Sequence, residues 1–192
     1  MLYKKFEGKN LYFAPIDNQN LELCTKWMND ETLTRGLGQT SNIYTEISER
    51  EYMEEQSKKI NNYQFYVVRK NDDKILGIYD LHNVQQIHQF AEAGGFIGEI
   101  DERGKGYGSE ALRMICDFGF NIINLNTIVG RIFSFNFGSI KSAENVGFKK
   151  VGEISNRYYY RGKFYNEIIL EITKEEFYKR YNSFVLPLPD KK

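Results

Sequence analysis

The chain has 192 residues, 41% hydrophobic and 15% aromatic, enough for one well-filled core and too few for two. Its 26 basic and 26 acidic residues give a formal net charge of zero, which lacks the positive footprint of a protein that works on nucleic acid. The N-terminal "MLYKKFEGKNLYF" carries charge where a secretory signal would be apolar, and no apolar run approaches the ~20 residues that span a bilayer, so a cytoplasmic protein with no membrane partner is expected.

In chain order, residues 10–16 ("NLYFAPI") read as a short strand ending at Pro15. Leu21, Cys24, Trp27 and Met28 recur at helical spacing and predict a helix over 18–30. The two glycines of "LTRGLGQTSN" break that pattern, and a largely polar surface helix follows over about 45–59. The period then changes to that of strands. Segments 63–70, 74–84 and 91–100 are rich in β-branched and aromatic residues, and the turn "NDD" joins the first two. A helix over about 107–123, a strand over 127–135 and a short helix closing at Gly147 come next. A hairpin turned at Arg161, Gly162 and Lys163, a helix in "KEEFYKRYNSF" and a loose tail over 184–192 complete the chain. This order predicts one mixed α/β (α+β) domain over 1–192, built around a single sheet. Cys24 and Cys116 sit in apolar segments without metal or redox spacing, and read as two buried thiols. No His, Cys and Asp cluster has the spacing of a metal site.

One stretch, "IDERGKGYGSEALRMICDFGF", gathers glycines immediately before a helix. A helix N-terminus presents N–H groups without internal partners and a partial positive charge. Glycines ahead of it let the backbone approach a ligand closely. Arg103, Gly104, Lys105, Gly106, Tyr107, Gly108 and Ser109 therefore form a candidate phosphate cradle, to which Arg103 and Lys105 add full charges. The spacing is G-x-G-x-G deep in the chain, which fits neither the dinucleotide fingerprint nor the nucleotide P-loop.

The cradle "RGKGYG" resembles the pyrophosphate loop of the GNAT superfamily of acetyl-CoA-dependent N-acetyltransferases. "AEAGGFIGEIDERGKGYGSEALRMICDFGF", "RIFSFNFGSIKSAENVGF" and "YYYRGKFYNEIILEI" look like that superfamily's central strand with its cofactor helix, its Asn-bearing strand end and its terminal hairpin. The resemblance covers roughly residues 8–178 and is nearest to the branch of ribosomal-protein N-terminal and spermidine acetyltransferases. It implies a mostly antiparallel sheet with helices on both faces, whose two central strands splay apart after a bulge. It implies that the pantetheine arm of acetyl-CoA pairs with the open edge of the "FIGEI" strand.

On the same basis Gly98, Glu99, Ile100 and the loop from Arg103 to Ser109 hold the cofactor, and Asn136 bonds the pantetheine. Gly94, Gly95 and Gly98 suit a strand that bends and admits a ligand. Ala143 stands where many members carry the Tyr that protonates the thiolate, leaving Ser139 or Ser142 as donors. Glu92 is the first candidate for the base and Glu99 the second. His82 and His88 read as surface or loop residues. The expected reaction is direct acetyl transfer to a primary amine of a peptide N-terminus or small metabolite. The acceptor is shaped by the N-terminal helices and the aromatic hairpin. A polyamine acceptor, a catalytically silent acyl-CoA-binding or regulatory module, and a nucleotide-binding signalling domain stay open, as does a homodimer.

Overall fold

The computed structural model describes residues 2–59 and 63–181; the predicted tail at 184–192 lies outside them. The strands are β1 (Phe6–Glu7), β2 (Leu11–Pro15), β3 (Tyr63–Arg69), β4 (Ile75–Gln85), β5 (Phe90–Ile97), β6 (Thr127–Phe133), β7 (Lys149–Tyr160) and β8 (Lys163–Thr173). The helices are α1 (Leu21–Met28), α2 (Glu31–Leu37), α3 (Glu46–Ser57), α4 (Tyr107–Asn121), α5 (Phe137–Val146) and α6 (Lys174–Arg180). The eight strands form one sheet in the order β1-β2-β3-β4-β5-β6-β8-β7. Every neighbouring pair is antiparallel except β5 with β6.

Alternation along the strands builds two cores, one on each face of the sheet. In β2 and β3, Leu11, Phe13, Phe65 and Val67 face one way and join Met114, Ile115 and Phe118 of α4 in the larger core. Tyr12, Ala14, Tyr66 and Val68 face the other way, against Leu21, Cys24 and Trp27 of α1, Leu33 of α2 and Met53 of α3. Both cysteines are buried thiols, as expected. No helix among the described residues is long and apolar enough to cross a membrane.

Two elements were not foreseen. β1 is a two-residue strand, too short to leave a periodic signal. α2 occupies the region read as a glycine break. Asp30 caps it by accepting from the Thr32 N–H, and Gly38 ends it in the left-handed conformation at φ 73°. The second glycine, Gly36, lies inside the helix because a Cβ there would sit 2.9 Å from Asn136 Nδ2. Its absence lets α2 lie against the start of α5.

Of the sheet's register shifts, the one between β4 and β5 is a bulge on β4. His82 pairs with Glu92 and Gln85 with Phe90, so β4 holds one residue more than its partner, and Asn83 takes φ 50° to absorb it. Gly98 is buried, and a Cβ would strike the Trp27 indole at 2.3 Å, so the glycine also seats α1 on the sheet. Gly98→Ala is expected to cost about 1–3 kcal/mol by overpacking a ring that is 2% exposed, measured as a lower denaturation midpoint with unchanged slope.

Candidate active site

Pairing between β5 and β6 covers only Phe90, Ala91 and Glu92 against Thr127, Ile128 and Val129. Beyond that point β5 continues beside β4 to Ile97, while β6 continues beside β8 to Phe133. The two strands diverge and leave a wedge, which opens into a cleft of about 750 Å³. Residues 93–97 and 130–133 form its sheet walls, with α2, the start of α4 and one face of α5 around it.

The start of α4 forms one end of the cleft. Gly104 and Gly106 take φ 78° and 89°, and a Cβ on either would meet nothing within 4 Å. Glycine is thus dictated here by backbone conformation, with open space in front of it. Gly106 is the N-cap and offers no side chain to the first-turn N–H groups, so these are left for a ligand at the positive end of a fifteen-residue helix. The Tyr79 hydroxyl donates to the Gly108 carbonyl at 3.1 Å and fixes the turn to β4.

The expected cations are engaged elsewhere. Lys105 pairs with Glu102 at 2.9 Å, and Arg69 pairs with the same carboxylate at 2.8 Å. Lys105 first, then Arg69, hold the Glu102 carboxyl down at about 2. Arg103 donates to the carbonyls of Ile97 at 2.8 Å and Gly98 at 3.2 Å, tying the loop to the end of β5. The cradle is therefore made of amides and a helix dipole, with its charged side chains acting as braces.

Of the predicted site residues, Glu92, Arg103, Gly104, Gly106, Gly108, Ser109, Asn136, Ser139 and Ser142 line the cleft. Gly98, Glu99, Ile100, Lys105 and Tyr107 do not. Glu99 is drawn away by Lys74 at 3.1 Å and by the Trp27 indole N–H at 3.1 Å, so the second candidate for the base is a structural carboxylate. On α5, Asn136 accepts from the Ser139 N–H at 3.2 Å as an N-cap. Ser142 Oγ lies 3.0 Å from Ser109 Oγ, linking α5 to the first turn of α4. Ala143 is 2% exposed and belongs to the larger core.

At the wedge's apex, charged groups from four strands meet on one face. Glu92 of β5 pairs with Arg131 of β6 at 3.2 Å, and Arg131 reaches Glu167 of β8 at 3.2 Å. Asn83 donates to the other Glu92 oxygen at 3.2 Å. His82 is exposed, as its surface reading had it, but it belongs to β4 rather than to a loop and lines the cleft. Its signal was the alternation of "DLHNV", which puts Asp80 and His82 on the same face. Arg131 and Glu167 gave no such local signal, because β6 and β8 are far apart in sequence.

The opposite wall is aromatic. Phe133 stacks on Tyr158 with centroids 4.2 Å apart, and Phe135 packs against Tyr158, Tyr160 and Tyr165. The hairpin tip then reaches α2: Tyr160 donates to Glu31 at 2.6 Å, and Arg161 pairs with Glu31 at 2.8 Å.

The acetyltransferase (GNAT) domain family matches residues 10–149. The uncharacterized N-acetyltransferase p20 of Bacillus licheniformis is 26% identical over 159 residues, covering 81% of this chain and 87% of its own length. The spermidine N(1)-acetyltransferase of Vibrio cholerae is 22% identical over 177 residues, covering 92% and 95%. The solved structure of a spermidine N-acetyltransferase from Vibrio cholerae in complex with CoA and spermine has a TM-score of 0.81 at 17% identity, covering 88% and 98%. It shares the fold. With the family matched over most of the chain, and with the splayed sheet and glycine cradle in place, this protein belongs to the GNAT acetyltransferase family and is an acyltransferase enzyme.

Proposed function

We propose that the enzyme transfers an acetyl group from acetyl-CoA directly to a primary amine of a peptide N-terminus or a small metabolite. The observation that carries this reading is the meeting, in one cleft, of an uncapped α4 N-terminus with a β5 edge that has lost its neighbour. Anionic phosphates suit the first, and an extended amide-bearing arm suits the second. The residues fit such a cofactor, since Gly104 and Gly106 leave open the space that any side chain would fill. The amides of residues 104–109 would hold the pyrophosphate, residues 93–96 the pantetheine, and Asn136 its far end. When bound, the cofactor supplies an activated thioester whose carbonyl accepts the amine.

The chain's own groups then have defined tasks. Glu92, at the apex of the wedge and held by Arg131 and Asn83, is the carboxylate that meets the acceptor's ammonium and takes its proton. Ser142, within hydrogen-bond reach of Ser109, is the hydroxyl on α5 suited to protonate the departing sulfur, with Ser139 one turn earlier. Ala143 has no group to offer.

The preference for a singly charged amine rests on how the carboxylates are partnered. A polyamine site gathers free carboxylates to meet several positive charges. Here Glu92 and Glu167 share Arg131, Glu31 is paired with Arg161, and Asp30 caps α2. A polyamine acceptor is the second reading, favoured by the similarity to spermidine N-acetyltransferases.

Two measurements test these readings. Gly106→Asp places a carboxylate where the pyrophosphate would lie, and CoA affinity measured by calorimetry is expected to fall at least tenfold, about 1.4 kcal/mol; undiminished affinity would remove the cradle from the site. CoA thiol release is expected with peptide or small monoamine acceptors. Turnover confined to spermidine would overturn the preference, and thiol release with none of the amines would favour a silent binder.

A further inference from the structure

The apex holds a group that the reaction described above does not yet use. His82 lies between two carboxylates: its Nδ1 is 3.2 Å from Asp80 Oδ1, and its Nε2 is 3.8 Å from Glu92 Oε2. Strand register creates the arrangement. Asp80 and His82 are two residues apart on β4 and share a face, while Glu92 is directly opposite His82 on β5. Gly94 permits it, because a Cβ there would stand 2.7 Å from Asp80 Oδ1 and 3.2 Å from His82 Cε1. A side chain at that position would displace both groups.

Exposure gives the row a direction. The Glu92 side chain is 16% exposed and that of His82 is 51% exposed, so the row runs from the interior of the cleft to water. A protonated imidazole gains charge pairing with Asp80 and Glu92 together, the two carboxylates between which it lies. The other charged groups near it are Arg131 on β6, one step beyond Glu92, and Glu167 on β8 beyond that; Asn83 on β4 is neutral.

We propose that His82, oriented by Asp80, is the exit for the acceptor's proton, receiving it from Glu92 and delivering it to solvent. The proposal rests on the reading of Glu92 as the carboxylate that meets the acceptor. The balance is that of amide formation from an ammonium. One proton leaves nitrogen for Glu92, passes to Nε2 of neutral His82 and goes on to water. The freed nitrogen pair forms the N–C bond, the C–S bond breaks, and the second nitrogen proton ends on sulfur. The geometry sets the tautomer, with Nδ1–H donated to Asp80 and Nε2 bare toward Glu92. The Asp80 carboxylate, ahead of the opposing effect of burial, raises the imidazole's affinity for its proton. The neutral form therefore requires a pH above the ordinary histidine value of about 6.5.

The experiment uses the full, tag-free chain, CoA thiol release from acetyl-CoA, and a dipeptide amide and spermidine as amine probes. The parent's turnover is expected to rise with pH through one ionisation above about 6.5. His82→Gln should lower turnover on the order of 10- to 100-fold and abolish that ionisation, with CoA affinity unchanged. Asp80→Asn should lower turnover less than His82→Gln does and move the acidic limb to lower pH, a shift that a purely structural role would not produce.

Because the sequence has only two histidines, His82 and His88, imidazole NMR can follow the same ionisation directly. His82 should titrate above the ordinary value in the parent and lower in Asp80→Asn. An unchanged rate and limb in His82→Gln, or a His82 titration indifferent to Asp80→Asn, overturns the proposal. Glu92→Gln separates the two readings. Slow turnover in Glu92→Gln beside a normal His82→Gln sinks the exit and leaves Glu92 standing. A normal Glu92→Gln beside a slow His82→Gln removes Glu92 and leaves His82 as the direct acceptor.

Discussion

The cleft depends on one failure of pairing: β5 and β6 stay together for three residues and then part. Each strand is held from its outer side. β5 is fixed to β4 as far as the pairing of Gly77 with Ile97, and Arg103 clasps the carbonyls at its end. β6 is fixed to β8 through Phe133, whose ring stacks on Tyr158. Backbone groups within a fold demand partners, so two facing unpaired edges form a strong recognition surface for an extended ligand. The wedge's apex is also where side chains from β4, β5, β6 and β8 come within reach of one another.

The glycines divide by physical cause. Gly104 and Gly106 are needed for a left-handed backbone in front of open space, which a ligand could occupy. Gly98 and Gly36 are needed because another part of the chain, Trp27 or Asn136, occupies the position of the missing Cβ. In one case a side chain would exclude a visitor, in the other a permanent neighbour. Charge divides in a similar way: the cations of the loop between β5 and α4 are tied to Glu102 and to backbone carbonyls. They stiffen the cradle and leave attraction of an anion to N–H groups whose geometry is fixed in advance.

Much of this was legible in the residues, where the signal was local. Strand alternation, the α4 periodicity and the glycine cradle all depend on neighbours within a few positions, and each was located within a few residues. The departure at Ala143 was equally readable. α2 was missed even though its Asp30 cap and Gly38 stop were present, because Gly36 was taken as a breaker when it is a point of close approach. His82 was passed over because its meaning lies in a partner ten residues away across a bulge. Glu99, the second candidate for the base, is turned from the cleft by Lys74 and Trp27.

By itself, the sequence determined the class of the fold, the order of its main elements and the place of the glycine-rich turn before α4, since these follow from short-range periodicity and from the conformational needs of glycine. Only the tertiary structure decided which charges remain available. Arg103, Lys105 and Glu99 read in the chain as available groups, and each is engaged in the fold, Arg103 and Lys105 by neighbours within six residues and Glu99 by Lys74 and Trp27, which folding brings to it. The row from Asp80 through His82 and Glu92 to Arg131 and Glu167 likewise exists only in the assembled sheet. Ion pairing acts over a few ångströms in space and is indifferent to distance along the chain, so no local reading of the sequence contains it.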